Sequence, residues 1–87
     1  MEKEEKIITF ADIRNRIEKK KKYLVDVTAT EIIVRGEGKA IHYSKVHDRY
    51  YHIGFADQAD FVSSGIFREW YALIQAYKRE RNVQRSI

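Results

Sequence analysis

The chain has 87 residues, 44% hydrophobic and 13% aromatic, enough apolar material for one small folded domain and too much for a disordered tail. It contains no cysteine, which excludes disulfides and thiolate metal sites and makes a reducing compartment, the cytoplasm, the simplest fit. With 17 Lys and Arg against 13 Asp and Glu, the net charge of +4 permits a polyanionic partner without demanding one.

The opening 1-MEKEEK-6 alternates charge and lacks the apolar stretch of a signal peptide, so residues 1–8 read as a charged lead-in. No apolar run approaches the ~20 residues of a membrane span. Proline is absent, and no Gly/Ser linker or repeat divides the chain, so a single domain over 1–87 is expected. The positive excess is localised. Segment 14-RNRIEKKKK-22 carries six positive residues and one negative, and 78-KRERNVQR-85 carries four and one.

A first helix is expected over 9–21. Thr9 can cap it, with Asp12 at the third helical position as a weak capping box, and Phe10, Ile13 and Ile17 share one stripe. Continuing past Lys21 would turn that lysine toward the stripe, so the helix should end there.

From 23 to 55 the hydrophobic period changes to two. The run 23-YLVDVTATEIIVR-35 reads as two strands joined at Ala29-Thr30, with Val27 opposite Ile32 and Val25 opposite Val34. A turn at Glu37-Gly38 then sets Val34 against Ile41 and Ile32 against Tyr43. Treating 45-KVHDR-49 as the third loop sets Tyr43 against Tyr51 and Ile41 against Ile53. The predicted buried face is Val25, Val27, Ile32, Val34, Ile41, Tyr43, Tyr51, Ile53 and Phe55.

A helical region is expected over 57–82, opened by Asp57 and Asp60 and bent near Ser63-Ser64-Gly65, with a frayed tail over 83–87. Ile66, Trp70, Leu73 and Tyr77 form its main stripe, and the flank of Phe67, Tyr71 and Ile74 is expected against the first helix. The predicted fold class is α+β: a four-stranded antiparallel β-meander with an N-terminal and a C-terminal helix packed on one face.

In this register His42 and His52 are cross-strand neighbours on the open face, which invites a metal reading. A third ligand is missing: Asp26 stands two strands away behind Ile33, and His47 sits in the loop. No metal or other cofactor is therefore expected. Catalysis finds no better footing. The adjacent pair His47-Asp48 has no nucleophile beside it, and 36-GEG-38 is a hairpin turn rather than a phosphate loop. A non-enzymatic binding protein is expected.

Nucleic acid is the leading partner. Lys19, Lys20, Lys21 and Lys22 are more positive charge than a helix end needs, and Lys78 and Arg79 begin a second basic segment. The open sheet face would add Arg35, His42, Tyr50 and His52 for stacking and phosphate contact. The same face, with Leu24 and Ile33, equally suits a protein partner or a homodimer. The layout resembles that of double-stranded RNA-binding domains, although 63-SSGIFREW-70 stands where that family opens its last helix with a lysine-rich motif. Size and layout are also similar to those of anti-CRISPR proteins. By that analogy the alternative function is a protein-binding inhibitor or adaptor from a phage or mobile element.

Overall fold

A computed structural model describes residues 8–85 of the chain. Residues 1–7 of the lead-in expected over 1–8, and the last two residues of the tail, lie outside the described residues. The order is α1 (Phe10–Lys19), β1 (Leu24–Val27), β2 (Glu31–Gly36), β3 (Lys39–Ser44), β4 (Arg49–Ile53), α2 (Gln58–Val62) and α3 (Gly65–Arg85). The strands form one antiparallel sheet in the order β1-β2-β3-β4, and the α+β class read from the sequence is the fold observed.

Local chemistry starts α1 where the sequence indicates and ends it at Lys19, two residues before the expected Lys21. Thr9 Oγ1 accepts from the Asp12 N–H at 3.1 Å while the Asp12 carboxylate accepts from the Thr9 N–H at 3.2 Å, a complete capping box. At the other end Lys21 takes a left-handed φ of 62°, and its N–H bonds the Glu18 carbonyl at 3.0 Å, closing the helix. Helix α1 also covers the free edge of the sheet. Arg14 donates to the Val25 carbonyl and Glu18 accepts from the Val25 N–H, each at 2.9 Å, which satisfies backbone groups that β2 leaves unpaired.

The β1–β2 and β2–β3 registers agree with the sequence reading: Val25 opposes Val34, Ile32 opposes Tyr43 and Val34 opposes Ile41. The β3–β4 register does not. Tyr43 opposes Tyr50, His42 opposes Tyr51 and Ile41 opposes His52, one residue away from the expected pairing. The cause lies in the loop, which has four residues rather than five. Asp48 adopts a left-handed φ of 56° and its N–H bonds the Ser44 carbonyl at 2.9 Å, so Arg49 already returns to the ladder opposite Ser44. A one-residue slip reverses every side chain of β4. Tyr50 and His52 therefore face the helices, and Tyr51 and Ile53 face outward, 54% and 52% exposed.

The helices lie on one face over a core of Ile13, Ile17, Val25, Ile32, Val34, Ile41, Tyr43, Phe61, Ile66, Trp70, Leu73 and their neighbours. Val27, expected in this core, sits at its margin and is 41% exposed. Phe61 of α2 is the hub on the β4 side. It is fully buried and its ring meets those of Tyr50, His52, Phe55, Phe67 and Trp70 at centroid distances of 4.5–5.7 Å. The flank of α3 turns away from α1, contrary to expectation. Phe67, Tyr71 and Ile74 border a cavity shared with Tyr43 and Tyr50 of the sheet, while α1 meets α3 through Arg16–Glu69 and Phe10–Glu80. Helix α3 also runs to Arg85, beyond the end expected at 82.

Candidate nucleic-acid interface

The two helices are antiparallel, and that decides where their charge goes. Arg16 pairs with Glu69 at 3.1 Å, near the start of α3, whereas the Phe10 N–H donates to Glu80 at 2.7 Å, near its far end. Lys19–Lys22 therefore lie beside the beginning of α3. Lys78 and Arg79 lie thirteen and fourteen residues further along it, about 20 Å away at 1.5 Å per residue. The two basic segments occupy opposite ends of the helical layer.

At the first end, two close backbone approaches gather three segments. A Cβ on Gly36 would stand 2.1 Å from the Lys22 carbonyl oxygen, so only glycine lets the β2–β3 turn close onto the α1–β1 loop. A Cβ on Gly54, where φ is 93°, would stand 2.4 Å from the Gly38 carbonyl oxygen and 3.0 Å from Lys39 Cα, which presses the end of β4 onto the same turn. Between these segments and the start of α3 lies a cavity of about 330 Å³, bordered by Lys20, Lys22, Lys39, Tyr23 and Phe55.

Its charge is one-sided. Among the described residues, Lys19, Lys20, Lys21 and Lys22 form no ion pair, and Lys39 stands over the Phe55 ring with Nζ 5.7 Å from the centroid. Glu69, the carboxylate at the cavity wall, is engaged by Arg16, and Glu37 accepts from the Tyr23 hydroxyl at 3.2 Å. Burial, and then that bond to Glu37, pushes the Tyr23 phenol above its ordinary value. Cations held without counter-charge beside aromatic walls can bind an anionic, stacking ligand.

The remaining candidates are committed elsewhere or face another way. Lys78 pairs with Asp48 at 3.0 Å and stands over the Tyr43 ring, and Arg79 donates to the Ile8 carbonyl at 2.7 Å. Tyr43, whose hydroxyl donates to Asp48 at 2.6 Å, has its phenol pushed well up by burial and then by that bond. The same bond, followed by Lys78, holds the Asp48 carboxyl below its ordinary 3.8. Arg35 lies on the open sheet face, paired with Asp26 at 2.7 Å. His42 shares that face, stacked on Tyr51 with ring centroids 4.5 Å apart.

Tyr50 and His52 are corrected from the open face to the helix face. Gln58 joins them: its Oε1 lies 3.2 Å from His52 Nε2, and its Nε2 donates to the Tyr50 hydroxyl at 2.8 Å. The expected His42–His52 pair does not form, since the two imidazoles lie on opposite faces of the sheet. Among the described residues, no group of three or more His, Asp or Glu could hold a metal ion.

Sequence reasoning missed Lys39, Tyr23 and Phe55. A signal was available, because in an antiparallel meander the β2–β3 turn returns to the end where β1 begins, and so to Lys22. Among the described residues, no helix is long and apolar enough to cross a membrane. No protein-family model, curated protein or solved structure matches the chain.

Proposed function

We propose that the protein binds nucleic acid, without catalysis, through the end built from the α1–β1 loop, the β2–β3 turn and the start of α3. The observation that carries this reading is the convergence of Lys20, Lys22 and Lys39 around one aromatic-walled cavity, with Lys19 and Lys21 next to them in the chain and none of the five with a carboxylate partner among the described residues. Five like charges at one end repel one another, and a phosphate backbone relieves that repulsion while releasing condensed counterions. Lys78, Arg79 and Arg35 are assigned no part in the contact, since each already has a partner within the fold. Binding to mixed-sequence DNA and RNA at ~50 and ~200 mM salt tests the reading. About four neutralised phosphates correspond to a loss on the order of a hundredfold across that range. Affinity that is absent, or indifferent to salt, rejects it.

A second reading, a protein-binding module of the inhibitor or adaptor kind, is favoured by one specific observation. Tyr51, Ile53 and Leu24 are all more than half exposed on the open sheet face, and the Arg35–Asp26 pair neutralises the charge between them. That composition suits a protein interface better than a phosphate backbone. Recovery of a stoichiometric protein partner that survives high salt and nuclease supports it. A concentration-dependent mass by light scattering would assign the face to a homodimer instead.

A further inference from the structure

We infer that the cavity at the cationic end takes a nucleoside phosphomonoester, presented by the 5′- or 3′-phosphorylated terminus of a nucleic-acid strand. This rests on the nucleic-acid reading and narrows it from the backbone of a strand to its end.

Three features of the cavity point there. Its volume, about 330 Å³, is at the small end of the range for small-ligand pockets and suits one nucleotide. An internal nucleotide would have to be turned out of its strand to enter, at the cost of unstacking on both sides, whereas a terminal one has a neighbour on one side alone.

Its aromatic walls are fixed before anything binds. Tyr23 is held by its hydroxyl on Glu37 and by its ring against the backbone of Gly36. Phe55 packs edge-on against Phe61 at 5.1 Å and His52 at 5.5 Å. A preorganised aromatic surface loses little entropy when a base stacks on it. Lys39 over the Phe55 ring puts a cation next to that surface, where the phosphate of a stacked nucleotide would fall.

The charge count then separates an end from an interior. Lys20, Lys22 and Lys39 border the cavity without a carboxylate partner, and its wall carboxylate, Glu69, is taken by Arg16. An internal phosphodiester brings one negative charge, but a terminal phosphomonoester brings about 1.5 to 2 at neutral pH. Three cations around one ligand are better matched by the monoester. Ser64 contributes shape rather than a contact, because its hydroxyl already donates to the Phe61 carbonyl and accepts from the Phe67 N–H.

The test is a competition assay by fluorescence anisotropy on the full chain. It uses one ~10-nucleotide single-stranded DNA in three forms, 5′-phosphorylated, 3′-phosphorylated and hydroxyl at both ends, with thymidine monophosphate as a fourth competitor. One phosphorylated form is expected to bind about tenfold tighter than the hydroxyl form. That preference should vanish in Lys39→Ala, which keeps Lys19–Lys21 for the backbone, and in Phe55→Leu, which keeps the apolar bulk; circular dichroism verifies that both fold. Equal binding of the three oligonucleotides overturns the inference and leaves nucleic-acid binding standing. Binding of none of the four ligands overturns both. Binding of thymidine monophosphate, with no binding of any of the three oligonucleotides, supports the cavity's chemistry with a free nucleotide as its source and rejects the nucleic-acid reading.

Discussion

His42 lies flat on Tyr51, with ring centroids 4.5 Å apart and planes 4° from parallel, on the face of the sheet that carries no helix. The pair exists because the third hairpin closes with a four-residue loop, and it fixes what both faces of β4 do. Tyr50, on the other face, packs its ring 4.9 Å from Trp70 and 5.7 Å from Phe61. Tyr50→Ala is accordingly expected to cost about 2–3 kcal/mol of unfolding free energy. Tyr51→Ala should cost less than about 1 kcal/mol, the scale of an exposed cross-strand pair. Urea denaturation of the two variants checks the register, and the reverse order of losses would restore the five-residue loop.

Phe61→Ala should be the most damaging substitution on the β4 side. The ring is fully buried among five others, and α2 contributes no other buried residue. Removing it is expected to cost about 3–5 kcal/mol, a large share of the stability of a domain this size. Thermal melting should show either a steep fall in Tm or no cooperative transition. A shift of only a degree or two would mean that α2 is not what holds β4 to the core.

The Tyr43–Asp48–Lys78 group gives the fold a pH dependence of known sign. Asp48 is held below its ordinary 3.8, so its contribution is intact well above that pH and is lost as acid titrates the carboxylate beneath it. Tyr43 is raised above its ordinary 10.0, so its contribution is intact below pH 10.0 and is lost as alkali ionises the phenol above it. Asp48→Asn keeps a residue that tolerates the left-handed conformation while removing the charge. Its urea midpoint should fall less than that of the parent between pH 5 and pH 3. Identical acid limbs would show that the contact does not bias folding.

Gly54 joins the fold to the cationic end. Any side chain there meets the Gly38 carbonyl oxygen at 2.4 Å in a backbone conformation that L-residues rarely adopt. Gly54→Ala is expected to cost about 1–3 kcal/mol and to move the β2–β3 turn, carrying Lys39 away from Phe55. Nucleic-acid affinity should fall with stability in this variant. The exposed Gly38, whose Cβ would meet nothing within 4 Å, offers a control with a left-handed φ but no close approach. Equal losses at both positions would show that conformation alone, and not the closing of the turn, sets the effect.

The legible parts of the fold were those decided locally. Thr9 and Asp12 declare the start of α1 within four residues, and the first two hairpins admit one register because one face of each strand is clearly more apolar. In 49-RYYHI-53 both faces carry large, partly apolar side chains, so the alternation cannot choose between Tyr50/His52 and Tyr51/Ile53. The choice is made by Asp48 in a left-handed turn and by Gln58, Phe61 and Trp70, which arrive from later in the chain. The candidate site divides the same way. Lys19–Lys22 were visible as a run, but their union with Lys39, Tyr23 and Phe55 comes from the packing of turns against one another. Counting charge could not reveal that Arg35, Lys78 and Arg79 are neutralised or bonded within the fold.

The central claim is that the cationic end, and not the open sheet face, meets nucleic acid. Amide chemical-shift mapping by NMR, with a short single-stranded oligonucleotide titrated at low salt, tests it most directly. The account predicts perturbations concentrated at residues 19–23, 36–39, 54–55 and 64–66, with Leu24, Ile33, His42, Tyr51 and Ile53 of the sheet little changed. Perturbations centred on His42, Tyr51 and Ile53, with the lysine-bearing segments silent, would contradict it.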